Sequence, residues 1–165
     1  MKQSVSEMLN RKQKGFTLIE LVIVVAVIII LTSIAAAGMT IYLKDARDNE
    51  RAGKMTILVE ALERYYDQNG EYPSCAVLSD SNVSSAAQAL GGIDLQTFVA
   101  PSAEEGTTNS INCSSDQPTG QPDTFNYSST PAVASNTAMR NYTLRYWSEG
   151  NNSVETVMGR RGREP

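Results

Sequence analysis

The chain has 165 residues, a net charge of −4 and no histidine, so it lacks the side chain that most often serves as a general base or a transition-metal ligand. Its two cysteines do not supply the four ligands that Zn²⁺ takes. Because an acidic chain repels phosphate, we expect no binding to nucleic acid. The composition thus favours neither a metal, nor a cofactor, nor a nucleic-acid partner.

Residues 1–15, MKQSVSEMLNRKQKG, form a short polar leader. The leader carries four basic residues and one acidic residue, a net of +3, whereas residues 16–165 have a net charge of −7. Basic residues before a membrane span favour the cytoplasmic side. We therefore expect a cytoplasmic N-terminus, with the acidic remainder outside.

Residues 16–43 are the most apolar stretch. Residues 21–43 contain no charged side chain, and this length exceeds the roughly 20 residues that a helix needs to cross a bilayer. Glu20 lies just inside the stretch, where a carboxylate is costly unless a cation neutralises it or it reaches the interface. A glutamate that merely extends to the interface is the alternative to a functional one.

Two other interpretations of this apolar stretch remain open, namely a cleaved signal sequence and an uncleaved membrane anchor. Ala35, Ala36 and Ala37, followed by Gly38, fit the small-residue pattern of a signal cleavage site, although the apolar region before them is longer than usual and contains Glu20. The second interpretation is an uncleaved membrane anchor.

The residues Lys14 to Leu21, KGFTLIEL, resemble the N-terminal signature of type IV pilins and of type II secretion pseudopilins. The resemblance implies that a prepilin peptidase cuts between Gly15 and Phe16 and that Phe16 becomes the N-methylated first residue. It also implies that Glu20 directs assembly by pairing with the free amino group of Phe16 in a neighbouring subunit. A buried carboxylate is tolerable when a cation is adjacent.

The implied function is structural, namely a subunit of a type IV pilus-like filament. The implied partners are further copies of the chain, related pilins, the peptidase, the assembly machinery and the cytoplasmic membrane. The filament would extend from that membrane into the envelope or to the cell exterior. A secretion pseudopilin shares all these features. A membrane-anchored enzyme is the remote alternative, because no nucleophile elbow, phosphate loop or carboxylate cluster is evident.

Residues 44–70 continue the apolar stretch as an amphipathic helix. Apolar side chains recur at helical spacing, and Asn69-Gly70 is a helix stop. Pilins commonly carry a helix-breaking proline within the first half of this helix, but residues 33–39 contain none, so we expect a continuous helix. The segment YYDQNGEYPS, residues 65–74, adds to the resemblance, and Tyr72 is expected to pack back on the helix. The apolar side chains that recur at helical spacing in residues 44–70 are Met55, Leu58, Val59, Leu62 and Tyr65 or Tyr66.

Residues 75–140 are rich in small and polar side chains, and we expect mostly loops. Residues 85–91 predict one short helix with Ser85 as its cap and Gly91 as its stop. Cys75 and Cys113 are either two thiols or one disulfide, which would contribute about 4 kcal/mol in the chain-entropy model. An exported domain permits the disulfide.

Residues 124–128 and 141–148 read as strands, and residues 153–158 return antiparallel to form a hairpin over 141–158. Residues 159–165 read as a basic tail. The predicted fold class is α+β. A leader (1–15) precedes a long helix whose first half (16–43) is apolar. In the head (44–165), the second half of this helix packs on a small antiparallel sheet.

Overall fold

The computed structural model describes residues 15–130 and 139–159. The expected leader (up to residue 14) and the tail from residue 160 lie outside these ranges. Two compact units divide at residue 40. The described elements are α1 (Leu18–Asn69), α2 (Cys75–Leu78), α3 (Val83–Ala89), a 3₁₀ turn (Leu95–Phe98) and strands β1 (Ile111–Cys113), β2 (Phe125–Thr130), β3 (Asn141–Ser148) and β4 (Ser153–Met158). The predicted α+β class is confirmed.

Helix α1 is 52 residues long and begins at Leu18, two residues later than expected. The helix continues through Gly38 without a break, as the lack of proline predicts. It ends at Asn69 because Gly70 adopts φ 77°, a left-handed conformation that favours glycine. The Gly70 N–H donates to the carbonyl of Tyr66 at 2.8 Å.

The four strands form one sheet in the order β1-β2-β3-β4. The predicted hairpin is present, with β3 antiparallel to β4, and β2 is antiparallel to β3. Strand β1 pairs parallel with β2, so the sheet is mixed and the expectation of a purely antiparallel sheet was wrong at this edge.

The core of the head combines one face of α1 with alternate residues of β2 and β3. Met55, Leu58 and Leu62 are buried on the helix, whereas Val59 is only half-buried. Alternation in a strand sends every second side chain to one face. The sheet contributes Phe125, Tyr127, Tyr142 and Leu144 to the same buried cluster.

The tyrosine after the helix packs as the sequence predicts. Tyr72 is buried, and its hydroxyl lies 3.0 Å from a carboxylate oxygen of Glu63 on α1. Its ring centroid lies 4.6 Å from that of Tyr66 and 4.8 Å from that of Tyr142. Three rings therefore connect the end of α1 to β3.

Two local predictions were wrong between residues 75 and 122. Helix α3 begins at Val83 rather than at Ser85, since the Asp80 carboxylate accepts from the backbone N–H of Asn82 at 2.8 Å and turns the chain earlier. Strand β1 lies within the stretch expected to be loop. A three-residue strand is too short to show the alternation that identifies strands.

Candidate processing and assembly site

The bond between Gly15 and Phe16 lies before the helix. Residues 15–17 have no helical or strand conformation, and the Phe16 side chain is 89% exposed. A Cβ added at Gly15 would meet no atom within 4 Å. No contact in the described part of this chain therefore requires glycine at position 15.

A reciprocal cap closes the first turn of α1. The Thr17 backbone N–H and hydroxyl both donate to the Glu20 Oε2 atom, at 2.8 and 2.7 Å. The Glu20 backbone N–H donates back to the Thr17 hydroxyl oxygen at 3.3 Å. Threonine before the helix and glutamate three residues later form a capping box, which satisfies two N–H groups that the helix itself leaves unpaired.

The cap gives Glu20 a role that the resemblance did not suggest. The signal was present in the sequence as Thr-Leu-Ile-Glu before an apolar run, the spacing of a capping box. A carboxylate can accept about four hydrogen bonds. The two bonds from Thr17 therefore leave Glu20 able to accept from another donor.

The apolar half of α1 presents its side chains outward. The most apolar stretch of the helix is not buried within the chain. The hydroxyls in this stretch are satisfied by the helix backbone, because Thr32 and Ser33 donate to the carbonyl of Ile29 at 3.0 and 2.7 Å. This helix is long and apolar enough to cross a membrane.

A buried arginine lies on the inward face of α1, four residues before Met55. The Arg51 side chain is 0% exposed. It donates to the Asp48 carboxylate at 2.6 Å, the Ser102 hydroxyl at 2.7 Å and the Pro122 carbonyl at 3.0 Å. It also donates to a carboxylate oxygen of Glu149. One side chain thus joins α1 to three distant segments of the head.

The turn between β3 and β4 is held by the same ion cluster. Arg47 donates to both carboxylate oxygens of Glu149, at 2.9 and 2.6 Å. The Asp48 carboxylate accepts from the backbone N–H groups of Glu149 and Gly150, at 3.0 and 2.7 Å, and from the Ser148 hydroxyl at 2.8 Å. The turn is therefore fixed on α1 by charged groups.

The ion cluster lowers the pKa values of its two carboxylates. Hydrogen bonds from Arg47 and then Arg51 lower the pKa of Glu149 to about 2. Burial alone would raise the pKa of Asp48, but hydrogen bonds from the N–H groups of Gly150 and Glu149, from the Ser148 hydroxyl and from Arg51 together lower this pKa. Both carboxylates are ionised at neutral pH, which matches the charge of the two arginines.

Of the two alternatives for the cysteines, the structure contains the disulfide. Cys75 and Cys113 are bonded, with their Cα atoms 5.7 Å apart. The bond joins α2 to β1. It therefore holds the short strand that the sequence did not reveal.

No group of three or more His, Cys, Asp or Glu side chains that could hold a metal ion occurs among the residues that the structure describes. One hollow is lined by Glu104, Asp123 and neighbouring polar side chains. The same lining includes the hydroxyl side chains of Thr107, Ser110 and Thr124.

A comparison with known protein families finds a match that includes this N-terminal site. Residues 10–36 match the family model of the prokaryotic N-terminal methylation motif. The matched range contains Gly15, Phe16 and Glu20. The resemblance that the sequence predicts is thereby confirmed.

A similar protein is the fimbrial protein of Neisseria meningitidis serogroup A / serotype 4A (strain DSM 15465 / Z2491), which is 39% identical over 66 residues. The aligned part covers 40% of this chain, and the chain spans 39% of that protein's length. No solved structure matches the chain.

Proposed function

We propose that this pilin-like chain is the precursor of a type IV pilus subunit. Its leader would be residues 1–15, its assembly segment residues 16–43 and its head residues 44–165. The observation that carries the proposal is the methylation motif at residues 10–36, which spans the expected cleavage bond. A pilus is favoured over a secretion pseudopilus because the similar protein is a fimbrial protein.

The first step is cleavage between Gly15 and Phe16 by a prepilin peptidase. The exposed, non-helical backbone at residues 15–17 supports this step, because a protease takes its substrate outside regular secondary structure. The open space around Gly15 supports it too, since the glycine fits a requirement of the enzyme's cleft. Cleavage frees the α-amino group of Phe16, which is then methylated.

The second step is polymerisation through α1. Lipid can cover the outward apolar side chains before assembly, and neighbouring copies must cover them once the subunit leaves the membrane. Glu20 would then meet the Phe16 amino group of a neighbour. Such a charged pair fixes the register of assembly, because an unpaired carboxylate in that interior is strongly unfavourable.

The remaining assignments follow from this scheme. The precursor would be a single-pass protein of the cytoplasmic membrane, with its N-terminus in the cytoplasm and its head outside. Its partners would be its own copies, related pilins, the peptidase and the assembly machinery. The function is structural, and no enzymatic activity is proposed.

Mass spectrometry of the N-terminus of the protein from cells tests the proposal. We expect the first residue to be Phe16 with one added methyl group, and the variant Gly15→Leu to retain the leader. A mature chain that begins at Gly38 would indicate ordinary signal cleavage. An intact Met1 in a strain with an active prepilin peptidase would indicate a simple anchor. Either result would contradict the proposal.

A further inference from the structure

Strand β4 lies at one edge of the sheet, because the strand order is β1-β2-β3-β4. The Gly159 N–H donates to the Tyr142 carbonyl at 3.1 Å, and hydrogen-bonded pairs alternate along antiparallel strands. The backbone N–H and C=O groups of Val154, Thr156 and Met158 therefore point away from β3. Within the described part of the chain, no hydrogen bond to these outward groups is found.

This edge lacks the features that usually prevent a further strand from pairing with it. Natural edge strands are kept very short, are twisted by bulges, or carry lysine or proline. Strand β4 has six residues, SVETVM, in unbroken register with β3, and Met158 is 54% exposed. The opposite edge differs, because β1 has only three residues and is bonded to α2 through Cys75 and Cys113. Strand β4 is thus the edge that can accept another strand.

We infer that β4 pairs antiparallel with β4 of a second copy of this chain, and that this pairing joins two filaments side by side. The inference rests on the proposed function, because it requires filaments. Addition of a strand to an open sheet edge is a recurrent mode of association. Two copies of β4 in antiparallel pairing form a twofold, isologous contact, whereas successive subunits of one filament form heterologous contacts. The pairing therefore lies between filaments and not within one.

The sequence of β4 selects one register for this pairing. When the twofold axis passes through Thr156, Val154 lies opposite Met158 of the second copy and Thr156 lies opposite its own counterpart. Apolar pairs and threonine pairs are both favourable across strands. In this register Glu155 lies opposite Val157 of the second copy. Every other register that joins the outward groups either places Glu155 opposite itself, which is unfavourable, or pairs at most three residues of each β4.

The regular repeat of a filament compensates for the small size of each contact. The favoured register pairs five residues of each strand, from Val154 to Met158, which is far fewer than the roughly 20–30 residues a side of a standard stable interface. Two aligned filaments form many such contacts, and each contact after the first forms at a high effective concentration. Weak pairs repeated along both filaments therefore hold them together.

Disulfide crosslinking of filaments isolated from cells tests the predicted register. Thr156→Cys places two thiols opposite each other, with Cα atoms about 5.5 Å apart in a hydrogen-bonded pair, a distance that a disulfide can span. We expect mild oxidation to produce covalent dimers on a non-reducing gel. The matched control is Thr143→Cys, which lies on the same face of the sheet but on β3, and it should produce none.

Charge substitutions at the same position test whether association depends on this pairing. Filaments of Thr156→Lys alone, and of Thr156→Glu alone, should stay separate in electron micrographs, because like charges then lie directly opposite each other. A mixture of the two should associate as the wild type does, because every contact between unlike filaments then joins opposite charges. The control Thr143→Lys should also associate as the wild type does.

Three results would overturn the inference. They are wild-type filaments that stay apart at physiological salt, associated filaments of Thr156→Cys that yield no covalent dimer, and filaments of Thr156→Lys that associate without their Thr156→Glu counterpart. A wild-type chain that forms no filaments would instead contradict the proposed function.

Discussion

Arg51 is a charged side chain at a core position, and its removal should strongly destabilise the head. Arg51→Met replaces the guanidinium with an apolar side chain of comparable length. Asp48, Glu149, Ser102 and the Pro122 carbonyl each lose a donor. Removing one partner of a buried ion pair costs about 3–5 kcal/mol because the remaining charge stays buried without compensation.

The lower end of that range applies here. Arg47 still donates two hydrogen bonds to Glu149 after the substitution, and the Asp48 carboxylate keeps its bonds from Glu149, Gly150 and Ser148. We therefore expect the free energy of unfolding to fall by about 3 kcal/mol.

Urea unfolding of the full chain in a non-ionic detergent measures this loss. The single tryptophan, Trp147, lies on β3 beside Ser148, and its fluorescence reports on the turn between β3 and β4. With a urea dependence of about 1.5 kcal/mol per molar, the midpoint should fall by about 2 M. The control is Arg145→Met, which removes a hydrogen bond from an exposed guanidinium to the Ser115 carbonyl at 2.8 Å and should cost less than about 1 kcal/mol.

A midpoint for Arg51→Met no lower than that of Arg145→Met would refute this reasoning. The coupling between Arg51→Met and Glu149→Gln provides a second criterion. Residues within one ion network show coupling energies of about 0.5–3 kcal/mol. Strict additivity of the two substitutions would show that the guanidinium and the carboxylate do not stabilise each other.

Three further predictions concern charge, covalent structure and assembly. Because the pKa of Glu149 is lowered to about 2, the contribution of its carboxylate to the free energy of unfolding is complete above pH 4.5 and is lost as the pH falls towards 2. After allowance for solvent screening this contribution is about 1–2 kcal/mol. Urea titrations at several pH values should show a weaker acid dependence of stability in Glu149→Gln. Replacement of Cys75 and Cys113 by serine should cost about 4 kcal/mol, and a melting temperature unchanged from the oxidised protein would contradict this value. Glu20→Ala should still insert into membranes but form no ordered filaments, and electron microscopy that shows normal filaments would count against charge pairing.

Much of the fold was predictable because α1 and the β3–β4 hairpin have strong periodic patterns. Residues 141–148 were predicted as a strand, in which Tyr142 and Leu144 are buried, and Asn69-Gly70 identified the end of α1. Strand β1 was missed because three residues show no period. Its parallel pairing with β2 depends on tertiary contacts, including the disulfide at Cys113.

The site was predictable in part. The resemblance identified Gly15, Phe16 and Glu20, and the two roles considered for Glu20 were pairing with a neighbouring subunit and extension to the membrane interface. The local partner, Thr17, was overlooked although its spacing from Glu20 is that of a capping box.

Arg51 was overlooked for a different reason. It continues the buried face of Met55 and Leu58 by one turn, but arginine is rarely fully buried unless it is paired. Its partners, Ser102 and Glu149 among them, lie far away in sequence, so only the fold brings them together.

The most direct test of the central claim is a density map of assembled filaments at side-chain resolution. The account predicts that residues 16–43 of many copies form the filament interior. It also predicts that the Glu20 carboxylate of one subunit lies within about 4 Å of the Phe16 amino group of a neighbour, the distance of an ion pair. Filaments in which these two groups are far apart, with Glu20 bonded to Thr17 alone, would contradict it.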